Sequence, residues 1–236
     1  MQEETKAKVE AEIKDWAYLQ ELPDICHGFK LLREKKIIEN MYDLYSYVHP
    51  QLNKKVVIYY HEETHEYKVR VYIGLIEFCR IEFITAKLED FEKLLRLQFD
   101  DLLKDMESYN SASLSSIVLK LGIREWGETN PLPEKCEGFD LFISPQKPEK
   151  INNGSYVIIN YVDFSIESDF TIYYNIYRGE FFGEARIWDI PDVNYDFDST
   201  SLDELSAKLQ TYMVPRLQEI RQRAMKEAAA KEKEKA

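Results

Sequence analysis

Two segments of this chain repeat one another, and this duplication limits the possible folds more than any other feature of the sequence. Residues 13–32 read IKDWAYLQELPDICHGFKLL, and residues 123–142 read IREWGETNPLPEKCEGFDLF, with eight identities in twenty aligned positions. Two unrelated segments of this length would share about one residue. The identical pairs include Trp16/Trp126, Pro23/Pro133, Cys26/Cys136 and Gly28/Gly138. The chain is therefore predicted to contain two copies of one structural unit.

The two copies stay aligned downstream at an offset of 114 residues. The offset grows because the second copy has a longer connector, SPQKPEKINNG, with two prolines and an Asn-Asn-Gly turn signal. Matched pairs include Tyr42/Tyr156, Tyr59/Tyr173, Phe83/Phe197 and Leu103/Leu217. We predict a first α+β repeat over residues 1–107 and a second over residues 108–236, joined in the serine-rich stretch ESYNSASLSS. The sequence leaves open whether the repeats form two domains or one joined sheet.

Each copy has the pattern of a helix, a group of strands and a second helix. Val9 and Ile13 recur at helical spacing, and Pro23 ends that pattern. Segments rich in Tyr, Val and Ile follow, such as KKVVIYY and EYKVRVYIG, and their close spacing favours antiparallel hairpins. Apolar stripes that start at Leu88 and Leu202 predict the closing helices. The predicted fold class is α+β, with two tandem helix–antiparallel sheet–helix units, three or four strands in each sheet, and the helices on one sheet face.

The composition disfavours several classes of partner. The 236 residues include 43 acidic and 31 basic side chains, and the formal net charge of −12 opposes binding to nucleic-acid backbones and to anionic membranes. No apolar run approaches the ~20 residues of a membrane helix, and the polar first residues do not resemble a signal peptide. Three cysteines without CxxC spacing favour neither a disulfide framework nor a thiolate zinc site. We predict a reduced, cytoplasmic protein without a cofactor.

The stretch HEETH, residues 61–65, matches the H-E-x-x-H pattern of zinc hydrolases. That chemistry needs both histidines on one face of a helix, with the glutamate placed to activate a metal-bound water. The flanking segments KKVVIYY and EYKVRVY are strand-like instead. The aligned segment of the second copy is NIYRG, which ends in a turn-forming glycine. We therefore predict an exposed β-hairpin tip that is dispensable for stability, and no metal site.

Cys26 and Cys136 both stand in the pattern LP[DE]xCxGFxL. A nucleophile, a redox pair and a disulfide are the functional alternatives for these cysteines. The equivalent of His27 in the second copy is Glu137, and shared packing explains a duplicated cysteine better than two active sites do. Phosphate-binding and nucleophile motifs are missing from the sequence, so no catalytic residue is predicted.

Sixteen tyrosines, many of them in predicted strands, point to one candidate binding surface. In the strand FTIYYNIY, alternation directs Phe170, Ile172 and Tyr174 toward the helices and the intervening residues toward the other side. That second side is half aromatic and half polar, which is typical of a partner-binding surface and also of an ordinary exposed sheet. The candidate partner-binding face consists of Tyr173, Asn175, Tyr177 and, in the first copy, Tyr59.

The leading hypothesis is a non-enzymatic, acidic protein-binding module of the adaptor, chaperone, immunity or inhibitor type. Its partner would be another protein, and a basic one is favoured electrostatically. The alternative is an enzyme or small-ligand-binding protein with its site in the cleft between the two repeats. A third hypothesis, a nucleic-acid mimic, requires the carboxylates to cluster on one face. The oligomeric state is left open.

Overall fold

The computed structural model describes residues 1–111, 114–152, 154–188 and 190–234, with the main chain only at residues 230–234. The chain divides into two compact units, Met1–Tyr109 and Asn110–Ala236. Each unit has one antiparallel sheet and three α-helices in the same element order. The predicted α+β fold with two similar units is confirmed. Residues 112 and 113 of the serine-rich joint and Asn153 of the Asn-Asn-Gly turn lie outside the described residues.

The first unit combines three helices with a seven-stranded antiparallel sheet. Its helices are α1 (Glu3–Ile13), α2 (Ala17–Glu21) and α3 (Leu88–Glu107). Its strands are β1 (Ile25–Cys26), β2 (Phe29–Leu32), β3 (Lys36–Ile38), β4 (Met41–His49), β5 (Lys54–His61), β6 (Glu66–Ile73) and β7 (Ile76–Thr85). The strand order is β1-β2-β4-β5-β6-β7, and β3 pairs with the first part of β4. Strand β7 therefore forms one edge of this sheet.

The second unit repeats this arrangement. Its helices are α4 (Ser116–Leu121), α5 (Ile123–Thr129) and α6 (Leu202–Glu234). Its strands are β8 (Lys135–Cys136), β9 (Phe139–Ile143), β10 (Glu149–Asn152), β11 (Ser155–Asp163), β12 (Ser168–Asn175), β13 (Glu180–Ile187) and β14 (Ile190–Ser199). The strand order is β14-β13-β12-β11-β9-β8, and β10 pairs with β11. Strand β14 is the edge that corresponds to β7.

Each sheet has seven strands, whereas the sequence predicted three or four. One reason is that CHGFKLL and CEGFDLF each form a two-strand hairpin around a two-residue turn, 27–28 or 137–138. All four turn residues have positive φ, between 46° and 86°, as in type I′ turns. A second reason is that β7 follows β6 after only Gly74 and Leu75, so the two strands read as one apolar run.

The core of the first unit lies between its sheet and helices α1 and α3. Tyr42, Tyr60 and Tyr67 stand directly opposite one another in the register of β4, β5 and β6, so they share one sheet face. The ring of Phe91 in α3 stacks on that of Tyr67, with 5.5 Å between the centroids. Glu12 in α1 accepts a hydrogen bond from the Tyr67 hydroxyl. Both helices therefore pack on the face that carries these tyrosines.

The core of the second unit is built around helix α6. The buried stripe of this helix includes Leu205, Leu217 and Ile220, and it belongs to one cluster with the sheet aromatics Phe170 and Phe181. The Trp188 indole Nε1 donates a hydrogen bond of 2.8 Å to the Ala224 carbonyl, which fixes the later turns of the helix to the sheet. Burying such side chains contributes about 1.5–3 kcal/mol each, so α6 is held mainly by its apolar stripe.

The duplication extends to individual hydrogen bonds between side chains and the main chain. The hydroxyl of Tyr47 donates to the Pro23 carbonyl, and the hydroxyl of Tyr161 donates to the Pro133 carbonyl, both at 2.7 Å. Each tyrosine is at most 1% exposed. Each bond joins the centre of the sheet to the proline that ends the preceding segment. The hydrogen bond between the tyrosine and the proline thus connects the same two segments in both units.

The tryptophans that mark the repeat also make equivalent contacts. Trp16 donates from Nε1 to Glu92 Oε2 at 2.6 Å, and Trp126 donates from Nε1 to Ser206 Oγ at 2.7 Å. Glu92 and Ser206 are equivalent residues at the offset of 114. The two acceptors differ in charge but supply an oxygen at the same point of the closing helix. The tryptophans are therefore anchors between helices, as shared packing requires.

Candidate functional site

The HEETH stretch lies at the tip of the β5–β6 hairpin, as the sequence predicts. His61 ends β5, residues 62–65 form the turn, and Glu66 begins β6. His65 has a φ of 54°, and its equivalent in the second unit, Gly179, has a φ of 66°. The tight turn requires a left-handed residue at this place in both units. The stretch therefore lacks the helical geometry of a zinc hydrolase.

One residue of this tip has a structural contact that the sequence did not indicate. Glu62 Oε1 accepts a hydrogen bond of 2.8 Å from the main-chain N–H of Gln2, the residue just before α1. The hydrogen bond from Gln2 is the main reason why the pKa of Glu62 is lowered. A carboxylate at the start of a helix also interacts favourably with the helix dipole. Glu62 therefore helps to position α1 on the sheet.

The four residues of the candidate partner-binding face lie in different environments. Tyr59 and Tyr173 are equivalent in the repeat, and each is 5% exposed. Asn175 ends β12, and its side-chain oxygen accepts hydrogen bonds from the main-chain N–H groups of Tyr177 and Arg178, at 3.0 and 3.1 Å. Tyr177 is 78% exposed in that turn. Of the four, Tyr177 is the residue whose ring is open to solvent, and a binding role for all four remains a prediction.

A buried charge explains why Tyr59 is not exposed. Arg70 in β6 is 4% exposed, and it forms ion pairs with Asp43 at 3.0 Å and with Glu77 at 3.3 Å. Its guanidinium also lies over the rings of Tyr59 and Tyr72, 4.8 and 5.3 Å from their centroids. Asp43 and Glu77 pair with the two terminal nitrogens of this guanidinium, while its Nε has no hydrogen-bond partner among the described residues. Charged side chains are thus buried here in pairs, so a polar pattern in the sequence does not place this sheet face in water.

The second unit buries a different polar group on the sheet face that carries Tyr173. Asn160 donates from Nδ2 to Asp169 Oδ2 at 3.1 Å and to Thr171 Oγ1 at 2.8 Å. All three residues are at most 1% exposed. Burial raises the pKa of Asp169 to about 6, although the hydrogen bond from Asn160 and the charge of Arg186 oppose the rise. Asp169 therefore titrates far above an ordinary aspartate.

The two edge strands present the largest equivalent apolar side chains at the surface. Ile81 in β7 and Tyr195 in β14 are related by the offset of 114, and they are 56% and 76% exposed. Two residues further on, Phe83 and Phe197 are buried at 1% and 0%. Each edge strand is ten residues long and has one strand neighbour within the described residues. In the sequence, both edge strands carry a large apolar residue followed two positions later by a phenylalanine. The structure exposes the first of these residues and buries the second.

Acidic side chains accompany both edges. Glu77 and Glu82 lie on β7, with side chains 41% and 34% exposed. Asp196 and Asp198 lie on β14, and both are exposed. Glu82 is paired with Arg80 at 2.5 Å, so part of this charge is compensated. The edges are thus apolar strips bordered by carboxylates.

Three side chains with metal-binding atoms meet in the first unit. Asp100 Oδ1 in α3 lies 3.4 Å from Cys26 Sγ and 3.0 Å from His27 Nε2. The three potential ligand atoms all lie within 4.8 Å of one another. Cys26 ends β1 and His27 begins the type I′ turn, so the hairpin directs adjacent side chains toward the helix. Asp100 lies 74 residues from Cys26 in the chain, so no local sequence pattern indicates its place in this cluster.

The order of contacts in this cluster does not match a cysteine protease. In a nucleophilic triad the histidine lies between the thiol and the carboxylate, whereas here Asp100 lies between Cys26 and His27. Burial, and then the hydrogen bond to Asp100, raise the pKa of the Cys26 thiol to about 11. The same hydrogen bonds from Cys26 and His27 lower the pKa of Asp100. Without a metal, Cys26 is thus a protonated donor and a poor nucleophile.

Several cavities lie beside these elements in the first unit. A pocket of about 200 Å³ next to the cluster is lined by Tyr18, Tyr47, Phe99 and Arg96, among others. A second cavity of about 650 Å³ lies near α1, α2 and β4. Its lining includes Trp16, Leu44 and Tyr45 together with Lys14, Arg33 and Lys35. The second cavity has the size and mixed lining of a small-molecule site.

Comparisons with protein-family models, with curated proteins and with solved structures found no match to this chain. Among the described residues, no helix has both the length and the apolar character needed to cross a membrane. The candidate sites therefore rest on the chain's own geometry.

Proposed function

We propose that the protein is a binding module that captures extended segments of other proteins at its two edge strands. A peptide can extend an open sheet edge by forming main-chain hydrogen bonds, while pockets and exposed side chains provide the selectivity. The observation that carries the proposal is the equivalence of Ile81 and Tyr195, two large exposed side chains at the same position of edge strands β7 and β14. Both residues lie where the register with the neighbouring strand shifts, between Arg80 and Thr85 in β7 and between Asn194 and Ser199 in β14. Such bulges are one way in which proteins limit unwanted pairing at a sheet edge.

The chemistry of the two edges favours one kind of partner. The exposed side chains of Ile81 and Tyr195 suit apolar residues on the incoming strand. The neighbouring carboxylates Asp196 and Asp198 in β14 suit lysine or arginine at the intervening positions, whereas Glu77 in β7 is already paired with Arg70. The net charge of −12 adds a general attraction for basic segments. The proposed partner is an extended, basic segment with alternating apolar residues, and its binding weakens as salt is added.

A library of random peptides, selected against the intact chain, tests this proposal. The peptides that are enriched should alternate apolar and basic residues. Hydrogen exchange of the complex should then show new protection of main-chain amides in β7 and β14. In the double variant Ile81→Lys, Tyr195→Lys we expect the affinity to fall by about tenfold or more, because each lysine replaces an apolar contact with a charge that repels the basic peptide.

The matched control is Leu97→Lys, which places the same charge on a 73% exposed leucine of helix α3. This variant should bind the selected peptides with wild-type affinity. If the double variant binds as well as the wild type, or if the protected amides lie outside the two edges, the proposal is wrong.

A second candidate function is small-ligand binding in the cavity near α1, α2 and β4. Its apolar wall and its cationic residues Lys14, Arg33 and Lys35 favour an anionic amphiphile. The probe anilinonaphthalene sulfonate should gain fluorescence with the wild type. The gain in fluorescence should be lost in Leu44→Trp, because the larger side chain fills the cavity. It should be retained in Leu97→Lys. Equal fluorescence in all three proteins would remove this candidate.

A further inference from the structure

We propose that Cys26, His27 and Asp100 bind a zinc ion through sulfur, nitrogen and oxygen, with a fourth position left for water. The donor set of one thiolate, one imidazole and one carboxylate suits Zn²⁺ among the divalent metals. Neither the sequence pattern nor the proposed peptide binding at the sheet edges requires this site. It lies on the β1–β2 hairpin and helix α3, away from edge strand β7 in the strand order.

The two distances to Asp100 are close to those of a tetrahedral zinc site. Bonds of about 2.3 Å to sulfur and about 2.0–2.1 Å to nitrogen and oxygen place the ligand atoms about 3.3–3.6 Å apart. In the structure, Sγ of Cys26 lies 3.4 Å from Asp100 Oδ1, and Nε2 of His27 lies 3.0 Å from the same oxygen. The three donor atoms already stand within 4.8 Å of one another. Binding therefore needs the donor atoms to move by only about 1 Å.

The chemistry of binding is a simple exchange of a proton for a metal. The thiol of Cys26 loses its proton to solvent and forms a sulfur–zinc bond, so each zinc ion releases one proton. The hydrogen bonds that Asp100 now accepts from Cys26 and His27 are replaced by bonds to the ion. Because a metal with three protein ligands keeps an open position, a water can bind there, beside the pocket lined by Tyr18 and Tyr47.

The repeat supplies an internal comparison for this site. In the second unit the residues at the places of Cys26, His27 and Asp100 are Cys136, Glu137 and Val214. Valine has no ligand atom, so the second unit lacks the oxygen on the helix that completes the set. The cysteine alone is common to both units and packs in the same hairpin. Zinc binding is therefore assigned to the first unit, and Cys136 becomes the natural control.

The test is a titration of the intact chain with zinc chloride in the presence of a colorimetric zinc chelator. We expect one zinc ion per chain, with about tenfold or greater loss of affinity in Cys26→Ser and in Asp100→Asn. Cys136→Ser should bind as the wild type does. Cobalt(II) in place of zinc should show the charge-transfer band of a thiolate–cobalt bond, and this band should vanish only in Cys26→Ser.

A second control addresses the exposed histidines of the HEETH hairpin. If the zinc is lost in the double variant His61→Ala, His65→Ala and kept in Cys26→Ser, the ion is adventitious and the proposal is overturned. The same conclusion follows if the cobalt complex of the wild type lacks the thiolate band. Circular dichroism of each variant checks whether the fold is retained, and a loss of zinc from a folded variant is attributed to the missing ligand.

Discussion

The hydroxyl of Tyr47 donates a 2.7 Å hydrogen bond to the main-chain carbonyl of Pro23. The same bond, with the same length, joins Tyr161 to Pro133 in the second unit. Both tyrosines are at most 1% exposed, so their hydroxyls are held where water has little access. A contact that is repeated so closely allows a stability measurement in one unit to be checked in the other.

Replacing either tyrosine should destabilise its own unit by a similar amount. Tyr47→Phe and Tyr161→Phe each remove one hydrogen bond and leave a proline carbonyl without that donor, at a cost of about 1–2 kcal/mol. Urea denaturation followed by tryptophan fluorescence measures the loss, with Trp16 reporting on the first unit. Tyr177→Phe is the control, because that ring is 78% exposed and its loss of a hydroxyl should have no measurable effect.

The buried charge of Arg70 should be essential to the first unit. Arg70→Ala removes the partner of Asp43, which is 6% exposed, and an unpaired buried carboxylate costs about 3–5 kcal/mol. The double variant Arg70→Met, Asp43→Leu should recover most of this stability, because no buried charge is then left unpaired. Glu77 also loses its partner, but its side chain is 41% exposed and water can solvate it. Arg178→Ala breaks a comparable contact to Glu180 at the surface, where the arginine side chain is 72% exposed. A change of less than about 0.5 kcal/mol is expected there.

Asp169 should make the stability of the second unit depend on pH. Its pKa is raised by burial to about 6 in the folded chain, against about 3.9 for an unfolded aspartate. Between these two values the folded chain keeps a proton that the unfolded chain loses, so stability falls as the pH rises. The loss amounts to roughly 2–3 kcal/mol once the pH exceeds about 6.

The variant Asp169→Asn should abolish this dependence, since an amide resembles the protonated acid and cannot ionise. Denaturation at a series of pH values, from about 4 to about 7, compares the variant with the wild type. The variant should gain stability relative to the wild type as the pH rises. Asp24→Asn is the control, because the Asp24 side chain is 91% exposed. If the free energies of unfolding of the wild type and Asp169→Asn change equally with pH, the pKa of Asp169 is not raised.

The contact between Glu62 and Gln2 should govern the fraying of helix α1. Glu62→Gln removes the charge that stabilises the helix start, so protease cleavage and amide exchange within residues 1–13 should become faster. The pKa of Glu62 is lowered by the Gln2 hydrogen bond, so this protection is present at neutral pH and is lost as the pH falls through that pKa. His61→Ala in the same hairpin should leave the exchange of α1 unchanged.

The duplicated core was predictable from the sequence because its residues are uncommon types in a shared order. Trp16 and Trp126 mark the repeat, and the structure gives them equivalent contacts to the closing helices. The hairpin at HEETH was predictable for a related reason. Strand-forming residues flank it, and Gly179 occupies the place where His65 adopts a left-handed conformation.

The environments of Tyr59 and Asp100 were not predictable in the same way. The half-polar pattern of FTIYYNIY suggested an exposed face for Tyr173 and for its equivalent Tyr59, but Arg70 and Asp43 pair with each other beside Tyr59 and remain buried. The cluster at Cys26 depends on a contact between a hairpin and a helix that are distant in the chain. Short-range spacing carries no information about such a contact, and the second copy does not repeat it.

The equivalence of Ile81 and Tyr195 has a consequence for stoichiometry. If both edges accept peptides, one chain has a valence of two, and saturation requires two peptides per chain. The isotherm then contains two intrinsic constants, since an aliphatic and an aromatic side chain contact the ligand differently. A partner with two suitable segments on one molecule would gain avidity over either segment alone. Because the unit is duplicated, the protein would select partners that carry two such segments over partners that carry one.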